Sequence, residues 1–497
     1  MCIRDSAISN AVCAQDESLE NARGVSDMFW LWGQFLDHDF ALTPEAEPAE
    51  SFPIQIPIGD AWFDPDATGL MTLDLHRSTW LAGTGSSPST PRLQPNAITS
   101  WIDGSNVYGS DAARARALRT LDGTGRLKTS DGDLLPFNTD ALPNAPSAFI
   151  PTFFLAGDVR ANEQIGLTSL HTLFVREHNR VVDQLRADNP HLSGDDLYEA
   201  ARLWVGAELQ VITYREFLPL LLGPEALGPY QGHDASVDGS IGTLFSTACY
   251  RFGHSMVSAE VLRLDAAGET IAEGNLGLRD AFFNPGLLVT EGGIEPVLRG
   301  FAAKRAQELD PLIVDDLRNF LFGEPGAGGL DLAALNIQRG RDHGLPDYNT
   351  VRERFGLPRV ETMEDVTQNS DYAAKLASVY TDVNDMDAWV CALCEDRLEG
   401  ALVGRLLHSV FTDQFRRLRD GDRFWYENIY RGEALRVLEE TRLSDVIRRN
   451  STIGAELADD VFNVPTGGTD TPRPPPRRSD RTAAEMVELV TQHRVFR

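Results

Sequence analysis

Apolar residues recur at helical spacing through most of this 497-residue chain, whereas the apolar–polar alternation of half-buried strands is scarce. Connections rich in proline and glycine at 43–66, 83–98 and 128–151 are long enough to be functional or wrapping loops. The pattern therefore predicts a mainly α, large single-domain helical fold with long wrapping loops and little β-structure. The predicted helices are 25–40, 111–121, 166–189, 195–222, 333–343, 398–419 and 432–447.

The charge balance limits the partners of such a chain. It has 74 acidic residues against 45 lysines and arginines, a formal net charge of −29. A chain this acidic repels phosphate backbones and anionic lipid surfaces, so we expect no nucleic-acid partner. No apolar stretch is long enough for a transmembrane segment, and no signal peptide is visible in the first residues.

One boundary stands out in the composition. Residues 466–480 (TGGTDTPRPPPRRSD) are rich in proline and arginine and are typical of an extended linker. We therefore expect one domain over residues 1–465 and a C-terminal tail over 481–497 with the pattern of a short helix.

The cysteines and the common short motifs indicate no chemistry. Five cysteines are too few and too scattered for a disulfide framework, and Cys391 and Cys394 form a lone CxxC. Two semi-buried helix cysteines are a better interpretation of that pair than a zinc or redox site. The chain also lacks GxxxxGK[ST], GxSxG, HExxH and GxGxxG motifs.

The most informative run is WGQFLDHD at 32–39. In a helix Gln34 lies four residues before His38 and shares its face, while Asp37 and Asp39 point elsewhere. Such polar groups in an apolar helix are costly unless each has a partner. On this run alone, an exposed acidic turn with a capping role remains an equal alternative.

A second run places oxygen atoms at alternate residues. They are the side chains of Thr99, Asp103 and Ser105 and the carbonyl of Trp101. A curled loop of this kind can wrap a hard cation that takes six to eight oxygen ligands, and Asp39 could complete it.

With these runs and three later segments, the sequence resembles the animal-type haem peroxidases of the peroxidase–cyclooxygenase superfamily. Myeloperoxidase and lactoperoxidase belong to this family, and we expect a bacterial member. Because members have sequence ahead of the first motif, we also expect a truncated N-terminus. The resemblance runs from about Ser9 to about Pro465, through GQFLDHD (33–39), TSWIDGSNVYGS (99–110), GDVRANE (157–163), LHTLFVREHNR (170–180), YRFGH (250–254), LNIQRGRDHGLPDYN (335–349) and FRRLRDGDRFWYEN (415–428).

The resemblance implies catalytic roles for three residues. His38 matches the distal histidine, which takes a proton from hydrogen peroxide and returns it to the leaving oxygen. Arg160 matches the distal arginine, which stabilises charge as the O–O bond breaks. Gln34 matches the residue that holds the distal water or halide.

The resemblance also implies how the cofactor, haem b, is held. His254 matches the proximal ligand of the haem iron, and Asn336 its hydrogen-bond partner. Arg251 and Arg339 match partners of the haem propionates. Asp37 and Glu163 match carboxylates that form ester links to haem in mammalian members.

One residue departs from the pattern, and one further site is implied. Gln164 stands where myeloperoxidase has the methionine of its sulfonium link, which argues against efficient chloride oxidation. The resemblance assigns calcium to the loop described above, with the ligands Asp39, Thr99, Trp101, Asp103 and Ser105.

The implied function is a haem peroxidase that reduces hydrogen peroxide and, through an oxoferryl intermediate, oxidises bromide, iodide, thiocyanate or small aromatic donors. Most relatives act outside the cytoplasm, so we expect a secreted protein. A non-catalytic adhesion-type relative is one alternative, but His38 and Arg160 are both present and the chain has no RGD tripeptide.

A fatty-acid dioxygenase of the same superfamily is the other alternative. Cyclooxygenase-like enzymes use a tyrosine three residues before the proximal histidine, where this chain has Arg251. We expect Tyr250, one residue further, to point away from the pocket.

The remaining conspicuous polar residues have ordinary explanations. A solvated or salt-bridged helix end accounts for the charged run 416–423. Helix packing or hydrogen bonding accounts for three histidines, His171, His178 and His343.

Overall fold

A computed structural model of the protein describes residues 5–87 and 89–464, together with Thr482, Ala484 and Met486. Its α-helices are α1 Asp5–Ile8, α2 Asp27–Phe40, α3 Ser105–Tyr108, α4 Ala112–Leu118, α5 Ile165–Asp188, α6 Gly194–Ile212, α7 Leu218–Leu222, α8 Thr243–Thr247, α9 Leu278–Ala281, α10 Gly286–Thr290, α11 Glu295–Ala303, α12 Asp315–Arg318, α13 Leu332–Asp342, α14 Tyr348–Arg354, α15 Ser370–Val379, α16 Ala388–Cys394, α17 Arg405–Asp420, α18 Tyr426–Ile429, α19 Gly432–Glu440 and α20 Leu443–Arg449.

The other regular elements are short. Two-residue strands pair antiparallel, β1 (Ile54–Gln55) with β2 (Thr72–Leu73) and β3 (Glu260–Val261) with β4 (Leu276–Gly277). Turns of π-helix lie at Ser9–Cys13 and Thr213–Phe217, and 3₁₀-helix lies at Asp131–Asp133, Cys249–Met256, Met363–Asp365 and Val383–Asp385. The prediction of a mainly helical fold with little β-structure is confirmed.

The helix predicted at 111–121 ends earlier, at Leu118, and two other predicted helices differ more. The helix predicted at 398–419 begins only at Arg405, because Gly400 has φ +80° and the N-cap Gly404 has extended backbone, with φ −77° and ψ −177°. The helix predicted at 432–447 is two helices, α19 and α20. The second begins anew after Arg442, whose backbone N–H donates to the Asp445 side chain.

Helix α2 lies at the centre of the main core and is buried on nearly every side. Its aromatic side chains pack against α5: Phe35 stacks on Phe174 at a centroid distance of 5.3 Å, and Trp32 lies 5.8 Å from the same ring. Burying each such side chain contributes roughly 1.5–3 kcal/mol. This packing fixes α2, and therefore its polar residues, against α5.

A second cluster surrounds Trp204 of α6 and Trp425. Met486 is buried in it, and Thr482, Ala484 and Met486 are all helical. The predicted linker 466–480 and the rest of the tail 481–497 lie outside the described residues. Across the part of the chain that the structure describes, no helix has the length and apolarity needed to cross a bilayer.

The segment that precedes Arg160 is packed directly on the first turn of α3. A Cβ added to Gly157 would overlap the backbone of Ser105 and Asn106, and the N–H of Asp158 donates to the Asn106 carbonyl at 3.2 Å. A glycine at this position therefore allows two site-bearing segments to meet.

Replacement of this glycine tests that packing. We expect Gly157→Ala to lower the free energy of unfolding by about 1–3 kcal/mol, because the backbone must move to admit the methyl group. Urea denaturation measures the change. Gly286→Ala is the matched control, since a Cβ there has no neighbour within 4 Å. Equal stability of the two variants would contradict the close contact.

Candidate active site

A cavity of about 570 Å³ lies between α2 and the 3₁₀-helix Cys249–Met256, here called the proximal segment. It brings together the predicted catalytic and cofactor-binding residues except Asn336, which lies behind the proximal segment. The polar lining residues are Gln34, Asp37, His38, Glu45, Asp74, His76, Arg160, Glu163, Gln164, Ser246, Tyr250, Arg251, His254 and Arg339. A larger cavity, about 1250 Å³, lies beside the 99–105 loop and includes Trp101 and Asp103 but none of these residues.

Asp158 holds Arg160 in a fixed orientation. Its carboxylate accepts hydrogen bonds from Arg160 Nε at 2.8 Å and Nη2 at 2.9 Å, and its side chain is only 1% exposed. Arg160 also donates from Nη1 to Asp37 Oδ2 at 2.8 Å and from Nη2 to the Ala41 carbonyl at 2.9 Å. Of the five guanidinium N–H groups, one on Nη1 has no acceptor among the described residues.

Arg160 and Asp158 are both ionised at neutral pH. Burial opposes the charge on Arg160, but Asp158, Asp37 and Glu163 raise its pKa above the ordinary value. Burial likewise opposes ionisation of Asp158, yet Arg160 lowers the pKa of that carboxyl below its usual range. The cavity therefore contains a permanent cation with a free N–H group.

His38 is a buried imidazole beside this ion pair. Its Nδ1 lies 3.4 Å from Asp158 Oδ1 and 3.4 Å from His171 Nε2. Burial and the charge of Arg160 lower the pKa of His38 well below 6.5. The ring is therefore neutral near pH 7 and can accept a proton.

Gln34 and two residues before α5 form a small network. Gln34 Nε2 donates to Glu163 Oε1 at 2.9 Å, and Gln164 Nε2 lies 3.4 Å from Gln34 Oε1. Gln164 also caps α5 through its side-chain oxygen, which accepts from the Gly166 N–H at 2.7 Å. Burial raises the pKa of Glu163 to about 7.

His254 lies in the proximal segment. The distance from its Nδ1 to the amide nitrogen of Asn336 is 2.8 Å, and the amide oxygen of Asn336 accepts a hydrogen bond from Arg251 Nη1 at 2.9 Å. Burial, with the charge of Arg251 adding to it, lowers the pKa of His254 to about 3, so the imidazole is neutral. Iron ligation through Nε2 requires a proton on Nδ1, and Asn336 accepts that proton only if its amide turns over, which breaks the hydrogen bond from Arg251 Nη1.

Arg339 lies at another part of the cavity wall. Its Nη1 donates to the His76 carbonyl at 2.8 Å and to Ser78 Oγ and Asp342 Oδ2 at 3.0 Å each. Arg339 therefore also ties the loop after β2 to α13.

The prediction that Tyr250 points away from the pocket is wrong. Residues 250–254 all line the cavity, Tyr250 included. The Tyr250 ring stacks on Phe245 at 4.8 Å, and its hydroxyl is buried without a hydrogen-bond partner in the described structure.

The cavity fits a large, flat, mainly apolar group that carries carboxylates and an iron atom. The buried Nε of Arg251 and hydroxyl of Tyr250 have no partner among the described residues, so polar groups of a ligand could satisfy them. His254 supplies a neutral imidazole of the kind that ligates haem iron. Apolar side chains form much of the wall, including Val257, Leu278, Phe282, Leu317, Leu321, Leu332 and Leu335.

The predicted calcium ligands also come together. The backbone carbonyl of Asp39 accepts from Ser105 Oγ at 2.7 Å, and Thr99 Oγ1 donates to Asp103 Oδ1 at 3.1 Å. Trp101 lies in the same loop. Burial and the nearby Asp103 raise the pKa of Asp39 to about 8.

This set has only two carboxylates. Within residues 5–87 and 89–464, no three His, Cys, Asp or Glu side chains are grouped to hold a metal ion. A cation here would therefore depend on hydroxyl and carbonyl oxygens as well, which suits calcium better than a transition metal.

Sequence reasoning missed the part played by Asp158. Its position two residues before Arg160 is a weak signal, since only the fold shows that one carboxylate contacts Arg160 and approaches His38. The four buried cysteines Cys13, Cys249, Cys391 and Cys394 are free thiols, and the CxxC pair is fully buried in α16 rather than semi-buried as predicted.

Fold and site together define a helical protein with an imidazole on each of two opposing elements of a haem-sized cavity. The chain belongs to the animal haem peroxidase family, whose profile matches residues 5–462. It is 40% identical over 499 residues to thyroid peroxidase of Sus scrofa, in an alignment that covers 90% of this chain and 53% of that protein. The chain thus spans about half the length of that relative.

Solved structures agree with the family. Peroxidase A from Dictyostelium discoideum has a TM-score of 0.85 and 34% identity, covering 93% of this chain and 91% of that one. Fatty acid alpha-dioxygenase from Oryza sativa has a TM-score of 0.76 at 22% identity, covering 93% and 80%, and this likeness shows the shared fold alone.

The site predicts how haem binding depends on His254. We expect His254→Ala to bind haem at least roughly tenfold more weakly and with a shifted Soret band, because the axial imidazole is lost. Haem titration followed by absorption measures both effects. The exposed His233 provides the control, as His233→Ala. An unaltered Soret band and affinity in His254→Ala would reject the axial assignment.

Proposed function

We propose that the protein is a haem-dependent peroxidase that reduces hydrogen peroxide and oxidises small donors. The observation that carries this proposal is the pairing of a neutral buried imidazole, His38, with an anchored cation, Arg160, in the cavity that also contains His254. Family membership supports the same activity.

Each of these residues has a defined task. When bound, haem would supply the redox chemistry, in which hydrogen peroxide is reduced by two electrons and the donor is oxidised. His254 would ligate the haem iron, and Arg251, whose buried Nε has no partner among the described residues, would pair with a propionate, as would Arg339. His38 takes a proton from one oxygen of hydrogen peroxide and returns it to the other oxygen, which leaves as water.

Arg160 acts on the charge that develops as the O–O bond breaks. Its free Nη1–H can donate to the departing oxygen, and its position is fixed beforehand by Asp158. Fixed donors of this kind stabilise a transition state without reorganisation at the moment of reaction.

For the donor we propose bromide, iodide, thiocyanate or a small aromatic molecule. Gln164, which caps α5, cannot supply the sulfonium link that the resemblance associates with chloride oxidation. Asp37 and Glu163 line the cavity and are the proposed sites of ester links to haem. A location outside the cytoplasm stays a prediction.

A second candidate is a fatty-acid dioxygenase, which Tyr250 favours because its ring lines the cavity. Arg251 opposes it, since it occupies the position of the tyrosine that cyclooxygenase-like enzymes oxidise. Oxygen consumption with a long-chain fatty acid, and none of the peroxide-dependent oxidation of iodide, would favour the dioxygenase.

The proton-transfer role of His38 gives the principal test. We expect His38→Ala to slow the reaction of the haem-loaded protein with hydrogen peroxide roughly 10²–10⁴-fold, because proton transfer is lost. Stopped-flow absorption at the Soret band measures the rate. His191→Ala, at an exposed histidine, serves as the control. A His38→Ala protein that reacts at the control rate would refute the distal assignment.

We also propose that calcium binds at Asp39, Thr99, Trp101, Asp103 and Ser105. Because the pKa of Asp39 is raised in the folded chain, the unfolded chain loses this proton first, and the free energy of unfolding falls progressively as the pH rises from about 4 toward 8. A bound cation would offset that loss. This site would fix α2 next to His38, so its effect on catalysis is indirect.

Metal binding should therefore depend on pH. We expect calcium to raise the melting temperature more at pH 8 than at pH 6, since it must displace a proton from Asp39 at the lower pH. Differential scanning fluorimetry with calcium, with magnesium and with a chelator measures this. An equal melting temperature with calcium and chelator at both pH values would exclude the site.

A further inference from the structure

His171 is a buried histidine with no role in the reaction proposed above. It lies on α5, and its side chain has no solvent exposure. Its ring packs edge-on against Phe35 at 5.0 Å, and both ring nitrogens have a partner. Nδ1 lies 3.0 Å from the Asn106 carbonyl oxygen, and Nε2 lies 3.4 Å from His38 Nδ1.

These partners determine where the protons lie. A backbone carbonyl can only accept, so the His171 nitrogen that faces Asn106 carries the hydrogen. Asn106 is itself held by α2, because its side-chain nitrogen donates to the Phe35 carbonyl at 2.8 Å. Burial lowers the pKa of His171 to about 4, so the ring is neutral and its Nε2 is a lone pair directed at His38.

Asp158 is the other neighbour of His38 Nδ1, but its nearer oxygen is already occupied. Asp158 Oδ1 accepts from both the backbone N–H and the Nε of Arg160, each at 2.8 Å. A carboxylate oxygen has two lone pairs, so both are used. His171 Nε2 is therefore the remaining acceptor for a hydrogen on His38 Nδ1.

We propose that His171 is a positioning residue that holds His38 in the tautomer with hydrogen on Nδ1. In this tautomer His38 Nε2 is a lone pair, which is the state required to take a proton from hydrogen peroxide. The other tautomer would place two lone pairs against each other at 3.4 Å and leave no proton acceptor for the reaction. The inference rests on the proposed peroxidase function for its catalytic consequence, but the tautomer itself can be observed without turnover.

The kinetic test compares two replacements of His171 in the haem-loaded full chain. His171→Phe keeps the ring shape and removes the acceptor, whereas His171→Gln keeps an oxygen acceptor. We expect His171→Phe to lower the rate constant for hydrogen peroxide roughly 10–100-fold, the range typical of groups that orient a functional imidazole. His171→Gln should recover most of that loss, and the haem content of both variants should match the parent.

His178 offers a matched control on the same helix. It is equally buried, with Nδ1 3.0 Å from the Tyr108 hydroxyl and Nε2 3.0 Å from the Gly125 carbonyl, and it does not line the cavity. We expect His178→Phe to leave the peroxide rate constant unchanged even if it lowers stability. Equal rate losses in His171→Phe, His171→Gln and His178→Phe would show a merely structural role and overturn the proposal.

A spectroscopic test is independent of activity. In the ferrous carbon monoxide form, which is diamagnetic, long-range ¹H–¹⁵N correlation of ¹⁵N-histidine-labelled protein identifies the protonated nitrogen of His38. The resonance is assigned from its loss in His38→Gln. We expect hydrogen on Nδ1 in the parent and in His171→Gln, and a shift of population toward Nε2 in His171→Phe.

The outcomes separate the two claims. If the parent does not react with peroxide, the proposed function fails, while the tautomer data still decide the role of His171. If the parent reacts and His171→Phe keeps both the parental rate and hydrogen on Nδ1, the positioning role is refuted.

Discussion

The buried ion pair between Asp158 and Arg160 is the interaction on which the rest of the site depends. An unpaired guanidinium in a largely apolar cavity would be very costly, and breaking such a pair typically costs about 3–5 kcal/mol. Asp158 compensates the charge with two hydrogen bonds, and Arg160 then reaches α2 through Asp37 and the Ala41 carbonyl. The same contacts thus fix the charge and dock the 157–163 segment on the helix that carries His38.

His38 and His254, which line the cavity on opposing elements, are made different by their surroundings. Both are neutral because burial and a neighbouring arginine oppose protonation, Arg160 for His38 and Arg251 for His254. Their Nδ1 atoms have different partners, however. His38 faces Asp158 and His171, whereas His254 faces Asn336, which it shares with Arg251. One imidazole is therefore suited to exchange a proton, and the other to bind a metal.

Much of the helical fold and of the set of site residues could be predicted from the sequence, because the polar residues stand in compact motifs within apolar helices. His38 and Gln34 share a face of α2, as their spacing of four requires, and the helical pattern of α5 is nearly as predicted. The contacts that give these residues their roles were not predictable. His171 meets the carbonyl of Asn106, 65 positions earlier, and no local pattern encodes such a pairing.

Prediction from local sequence patterns also failed at the start of one helix and at one residue of the cavity wall. The start of α17 depends on two glycines that a periodic pattern does not exclude, and Tyr250 lines the cavity, which its position on a helix projection alone did not predict.

The single most direct measurement is the absorption spectrum of the haem-loaded chain before and after one equivalent of hydrogen peroxide, followed by bromide or iodide. We expect a Soret band that changes with peroxide and returns with the halide. A chain that binds one equivalent of haem but whose Soret band does not change with peroxide would contradict the proposed function.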